Sequence, residues 1–188
     1  MSECARMQVD DVRAGVLVAS GLSQLHASIS HVDLSFNVIS DVGARAVGTL
    51  LSRCPTLTTV TLIDNNIRAA GARALAHRLA ADTCALRSLD LRLNYIGDEG
   101  AVELCRVLTL RNRTLTSLNI SSNLCTSASA SALADMLLHN DIITAVDITC
   151  NSLGVSNTPF HFVFLSVCQE ISREFCVEWD VKCNQSIN

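Results

Sequence analysis

Aromatic side chains are scarce: they make up 4% of a 188-residue chain that is 49% hydrophobic. A core of ordinary size must then be filled by small aliphatic groups, which suits closely stacked layers better than packing around a few large rings. Positive charge is short as well. The net charge is −4, the pI is about 5.7, and no basic cluster occurs. This argues against a general nucleic-acid or anionic-membrane surface. No apolar stretch reaches membrane-spanning length. The short apolar run Ala14 to Ala19 follows Asp10 and Asp11, where a signal peptide would carry positive charge. The nine cysteines contain no CxxC pair; Cys105 and Cys125 fall at apolar positions and read as buried hydrophobes. A reduced, cytoplasmic compartment is expected. There the sequons beginning at Asn112, Asn119 and Asn184 would go unused.

What the chain has is a period. Asn37, Asn65, Asn94, Asn123 and Asn151 follow one another at 28, 29, 29 and 28 residues. Each is preceded by an apolar triplet: Ile29, Val32, Leu34; Leu57, Val60, Leu62; Leu86, Leu89, Leu91; Leu115, Leu118, Ile120; Ile143, Val146, Ile148. Two residues after each asparagine comes Ile39, Ile67, Ile96, Cys125 or Leu153. The spacing predicts a short strand with one buried face. A small residue then follows (Gly43, Gly71, Gly100, Ser129), and after it apolar residues recur at helical spacing, as in Ala101, Leu104, Val107 and Leu108. Asp41, Asp98 and Ser127 stand where an N-cap of that helix is expected. Ala69 stands there in the second repeat, so that helix is expected to start less firmly.

A strand-to-loop corner leaves buried backbone groups unpaired, and an amide both donates and accepts. The asparagines therefore read as a stacked ladder. Strands stack about 4.8 Å apart and helices about 8–10 Å apart, so the stack must curve with its sheet inside. The expected fold is an α/β solenoid, a short horseshoe arc with parallel strands on the concave face and helices on the convex face. Residues 29–154 form the repeats. Residues 1–28 read as an N-terminal segment with a truncated first repeat, its helix near Val12 to Leu25 and its strand half missing. Residues 155–188 break the pattern and hold four of the five phenylalanines and the only tryptophan. They read as a non-repeat cap or as an irregular tail.

Little points to chemistry. His26, His31, His77, His139 and His161 fall in different registers. Asp98 and Glu99 resemble an acid–base pair, but a helix start favours negative charge anyway. Cys168, Cys176, Cys183 and His161 lack the close ligand pairs of a structural zinc site, and no phosphate-cradling glycine loop occurs. Neither an enzyme, a cofactor, a metal site nor a small-molecule substrate is expected. The exposed strand positions remain. Four residues before each asparagine stand Asp33, Thr61, Asp90, Asn119 and Asp147. The columns nearer the asparagine include Arg92, with Phe36, Ile63 and Leu93 as exposed apolar points. An apolar set rimmed by charge predicts partner binding on the concave face, against the alternative that polar strand residues are merely solvated.

The wording LDLSFNVISDVGARAV and LDLRLNYIGDEGAVEL resembles leucine-rich repeats of the ribonuclease-inhibitor-like class. Gly71 to Ala80 (GARALAHRLA), Leu86 to Gly100 (LRSLDLRLNYIGDEG) and Asn112 to Asn123 (NRTLTSLNISSN) are similar, more narrowly, to the T-complex-associated testis-expressed protein 1 family. That family is subunit 5 of the nexin–dynein regulatory complex of motile cilia. The likeness covers roughly Ile29 to Gly154. It implies an axonemal scaffold without catalysis, with other axonemal proteins as partners and a ciliary or flagellar location. The same repeat class includes GTPase-activating proteins, and an acidic inner face suits a basic GTPase, which leaves enzyme regulation as the alternative. A ribonuclease inhibitor is disfavoured, because those proteins have many more repeats and abundant cysteine.

Overall fold

The apolar triplets do form strands, and each strand is followed by a helix. The structure, a computed structural model, describes residues 3–6, 21 and 29–153. In order, the elements are β1 (Glu3–Arg6), β2 (Ile29–Asp33), α1 (Ser40–Arg53), β3 (Thr59–Thr61), α2 (Ala69–Leu79), β4 (Ser88–Asp90), α3 (Gly97–Leu110), β5 (Ser117–Asn119), α4 (Ser127–His139) and β6 (Ala145–Asp147). The strands make one parallel sheet in chain order, and register is kept across it: Val32, Val60, Leu89, Leu118 and Val146 are neighbours in turn. Among the described elements, the only helices that each helix packs on are its neighbours in chain order. This is an open α/β solenoid arc.

The strand half of the first repeat is present, contrary to expectation. β1 pairs with β2 in parallel, Ala5 beside Val32 and Arg6 beside Asp33, with an irregularity between Glu3 and Cys4. ECAR carries too little alternation to be read as a strand, and its partner β2 supplies the ordering. The expected helix near Val12 to Leu25 and the cap beyond residue 153 lie outside the described residues.

The core is one layer between sheet and helices. Leu34, Leu62, Leu91, Ile120 and Ile148 are buried from the sheet side. Ala44, Val47, Leu50, Leu75, Leu79, Leu104, Leu108, Leu133 and Met136 are buried from the helix side. Each large aliphatic contributes roughly 1.5–3 kcal/mol by leaving water. The small residues early in the helices fit close approaches between repeats. A Cβ on Gly71 would meet Asp41 Oδ1 and Ile67 Cγ2 at 2.7 Å, and one on Gly100 would meet Ala72 Cβ at 2.9 Å. Cys54, Cys84, Cys105 and Cys125 are buried free thiols, and burial pushes the Cys105 thiol well up. Cys150 is disulfide-bonded.

The helix starts correct the expected capping. Asp41 and Asp98 do not cap their own helices, whose N-cap positions are Ile39 and Ile96. They cap the next repeat's helix. Asp41 Oδ1 accepts from the Arg68 and Gly71 amides at 2.7 and 2.9 Å. Asp98 accepts from the Thr126 amide and hydroxyl, both at 2.7 Å. The α2 start, expected to be weak at Ala69, is therefore held from outside. In α4 the N-cap is Thr126 rather than Ser127, and its side chain accepts from the Ala128 amide.

Two loop types alternate as a result. At α1 and α3 the positive φ falls on the first residue of the helix, Ser40 (54°) and Gly97 (57°), whereas before α2 and α4 it falls at Asn66 (56°) and Leu124 (61°). In the first type the Ser40 and Gly97 amides donate to the Asn65 and Asn123 carbonyls of the following repeat. In the second type the helix start takes a carboxylate from the preceding repeat.

Candidate interaction surface

The asparagine ladder fixes the backbone on which the exposed face stands. Asn94 Nδ2 donates to the Leu62 and Leu91 carbonyls, each at 2.8 Å. Its Oδ1 accepts from the Asn65 and Ile67 amides at 3.1 and 3.0 Å. Asn65 and Asn123 repeat this, reaching back to Leu34 O and Leu91 O at 2.8 Å, and Asn151 reaches Ile120 O at 2.9 Å. Asn37 donates to the Leu34 and Ser35 carbonyls. Asn37, Asn65, Asn94 and Asn123 are buried; Asn151 is half-buried. A second amide pair escaped the sequence reading. Buried Asn112 and Asn140 donate to Leu79 O and Leu108 O, and each Oδ1 accepts two amides at the start of the following segment. Their signal was a recurrence three residues before Leu115 and Ile143. Asn112, the first residue of a sequon, is thus committed to the interior.

Of the predicted site residues, Asp33, Thr61, Asp90, Asn119 and Asp147 are brought side by side by the sheet register, all half-buried. Much of this column is occupied with its own strand ends. Asp33, Asp90, Asn119 and Asp147 each accept, through Oδ1, the backbone N–H two residues on, at 2.9–3.1 Å. Such side-chain turns close a strand. The second oxygens of Asp90 and Asp147 are engaged too, by Arg92 Nε at 3.3 Å and by Asn119 Nδ2 at 2.9 Å. Burial raises the Asp90 carboxyl above its ordinary value, and the charges of Asp147 and Asp33 add to this against the pull of the Arg92 amide and guanidinium.

Ile63 is a correction: it is buried, 8% exposed, rather than an exposed anchor. Its column neighbours are Ser35 and Arg92, one repeat away on either side, just past strands that are spaced about 4.8 Å apart. That spacing leaves little room for water beside a branched side chain. Phe36 and Leu93 are exposed as expected, at 56% and 48%. They are joined by Val38, Tyr95 and Leu124, which the sequence reading did not single out. These five lie one residue before or after a ladder asparagine, along the rim where strands pass into loops.

The backbone at that rim is unusual. Phe36, Asp64, Leu93, Ser122 and Cys150, each just ahead of a ladder asparagine, all have φ between 52° and 60°. A side chain there costs about 1–2 kcal/mol except where it is glycine or a short polar residue. The pairs first suspected of chemistry are spoken for. Asp98 serves α4, and Glu99 pairs with Arg73 at 2.9 Å. Among the described residues no group of His, Cys, Asp and Glu could hold a metal, and no helix is long and apolar enough to cross a membrane. The suspected cysteine–histidine cluster of the C-terminal segment lies outside the described residues.

Comparison with known proteins matches the Leucine Rich repeat family model at residues 26–48, 53–76, 84–105 and 111–134. The Sus scrofa ribonuclease inhibitor is 32% identical over 154 residues, 81% of this chain and 32% of that protein. The Mus musculus ribonuclease inhibitor is 33% identical over 130 residues, 68% of this chain and 28% of its own length. The NACHT, LRR and PYD domains-containing protein 4B of Mus musculus is 32% identical over 97 residues, 52% of this chain and 10% of its own. The chain spans about a third or less of each of these relatives.

Proposed function

The chain is a leucine-rich repeat protein of the ribonuclease-inhibitor-like class, a protein-interaction scaffold, and from that premise we propose that it serves as a component of the nexin–dynein regulatory complex. In that role it binds other axonemal proteins in a cilium or flagellum and takes no part in catalysis. The scaffold reading is carried by one contrast. The interior polar groups are consumed in holding repeat to repeat, while large apolar side chains stand out along the rim on a backbone too constrained to fold them inward. The axonemal reading is supported by the wording of Leu86 to Gly100 and Asn112 to Asn123.

A tagged copy expressed in a ciliated cell tests both levels. The expected result is axonemal localisation and co-purification with axonemal proteins. Arg92→Glu, which changes an exposed side chain on the face, should weaken that capture while leaving the far-UV circular dichroism melt intact. Uniform cytoplasmic staining with no axonemal partner would sink the ciliary assignment.

The second reading, regulation of an enzyme, is favoured by the alignment of 81% of the chain with a protein named as an inhibitor. Excess chain added to a ribonuclease assay, and to single-turnover GTP hydrolysis, discriminates. A change in either rate favours this reading.

A further inference from the structure

At three rim positions the residue type opposes the backbone. Phe36, Leu93 and Leu124 hold left-handed φ of 60°, 57° and 61°, where asparagine, aspartate or glycine would sit with less strain. The equivalent positions of other repeats do carry such residues: Asp64 between Phe36 and Leu93, and Asn66 two repeats before Leu124. Exposed as they are, the three side chains draw no burial in return. A strained choice that the fold does not need points to a use outside the fold.

The positions also carry a length. Phe36 with Val38 and Leu93 with Tyr95 lie two repeats apart, across the polar pair Asp64 and Asn66. Two strand spacings are about 10 Å. On an α-helix, residues i and i+7 share one face and are about 10.5 Å apart. An extended segment reaches about 10 Å only at i+3, which points to its opposite face. Charge fixes the remainder: Asp33, Asp64, Asp90 and Asp147 stand on this side of the sheet against Arg92 and against Arg6, which is beside Asp33 in register.

We infer that the rim formed by Phe36, Val38, Leu93, Tyr95 and Leu124 docks a cationic amphipathic helix of another protein, with apolar anchors at i and i+7 and lysine or arginine beside them. This rests on the scaffold reading and adds the partner's chemistry to it. The helix lies along the rim, crossing the repeats, with its basic flank over the carboxylates.

The test uses the full chain and a labelled synthetic helical peptide carrying leucines at i and i+7 flanked by lysines, read by fluorescence anisotropy. The control peptide has the same composition with the leucines moved to i and i+2. The wild-type chain should prefer the first peptide at least about tenfold. The triple variant Phe36→Asn, Leu93→Asn, Leu124→Asn should lose that preference while its melting temperature holds or rises, because asparagine suits left-handed φ. Asp64→Lys should weaken binding with the fold unchanged. Equal binding of the two peptides overturns the inference, and so does a triple variant that melts lower, since the side chains would then be structural. Concentration-dependent dimerisation abolished by the same triple variant also overturns it, in favour of a second copy as occupant. Failure here with axonemal capture intact leaves the scaffold reading standing. Selective peptide binding without axonemal capture removes only the ciliary assignment.

Discussion

Asp98 and Asp90 belong to the same repeat and hold opposite positions in its energetics. In the first turn of α3, partial burial alone would raise the Asp98 carboxyl, but hydrogen bonds from Thr126 and Ser129 outweigh it and hold the group below its ordinary value. On the concave face, burial and the charges of Asp147 and Asp33 prevail over Arg92 and push the Asp90 carboxyl up. The fold gains by ionising the first and loses by ionising the second. The same contrast divides the molecule. Amides and carboxylates between repeats are spent on holding the stack, whereas the rim of the concave face carries apolar surface that the stack does not use.

The largest effect should come from within the stack. Asn94→Ala removes the partners of two carbonyls and two amides in two successive repeats. At about 1 kcal/mol or more for each buried group left unpaired, urea unfolding should show a loss on the order of 3 kcal/mol. A loss no greater than that of a surface substitution would erase the distinction between interior and face. Next comes Asp98→Ala, worth about 1–2 kcal/mol by the usual scale of caps, with faster amide exchange at Thr126 and Ser129. Because the Asp98 carboxyl is depressed when folded, its contribution is present above the ordinary value of 3.8. It is lost as pH falls through the lower folded value. The gap between wild type and variant should therefore close in acid; a gap that persists there would mean that something other than the carboxylate is lost.

These interior features were legible to different degrees. The strands and the ladder could be read because burial imposes the same residue at the same phase in every repeat, as at Leu34, Leu62 and Leu91. The capping could not, because Asp41 and Asp98 stand where an ordinary N-cap would. Only the packing of one repeat on the next shows that their acceptors serve Arg68 and Thr126. The left-handed corner was hidden for the opposite reason: Phe36, Asp64, Leu93, Ser122 and Cys150 share a conformation without sharing a residue type, since the ladder amide and not the side chain dictates it. Ile63 was misplaced because alternation along a strand marks which side of the sheet a residue faces. It does not mark how far the neighbouring columns cover it.

The smallest effect carries the opposite sign. Asp90→Asn keeps an oxygen to accept the Arg92 amide and removes the charge that burial penalises. A carboxyl raised in the fold above its ordinary 3.8 binds its proton more tightly when folded. Its ionised form thus detracts from stability above the folded value, and the penalty vanishes below the ordinary one. The variant should consequently melt slightly higher than wild type near neutral pH, by less than about 1 kcal/mol, and the two should converge in acid. What opposes this is the lost contact with Arg92, a half-exposed partner at 3.3 Å that salt screens. Melts at low and high ionic strength separate the two contributions. Stabilisation that persists in high salt assigns the effect to burial. A variant that melts lower at low salt would make the Asp90–Arg92 pair a structural element, and the concave face would then join the stack in holding the fold.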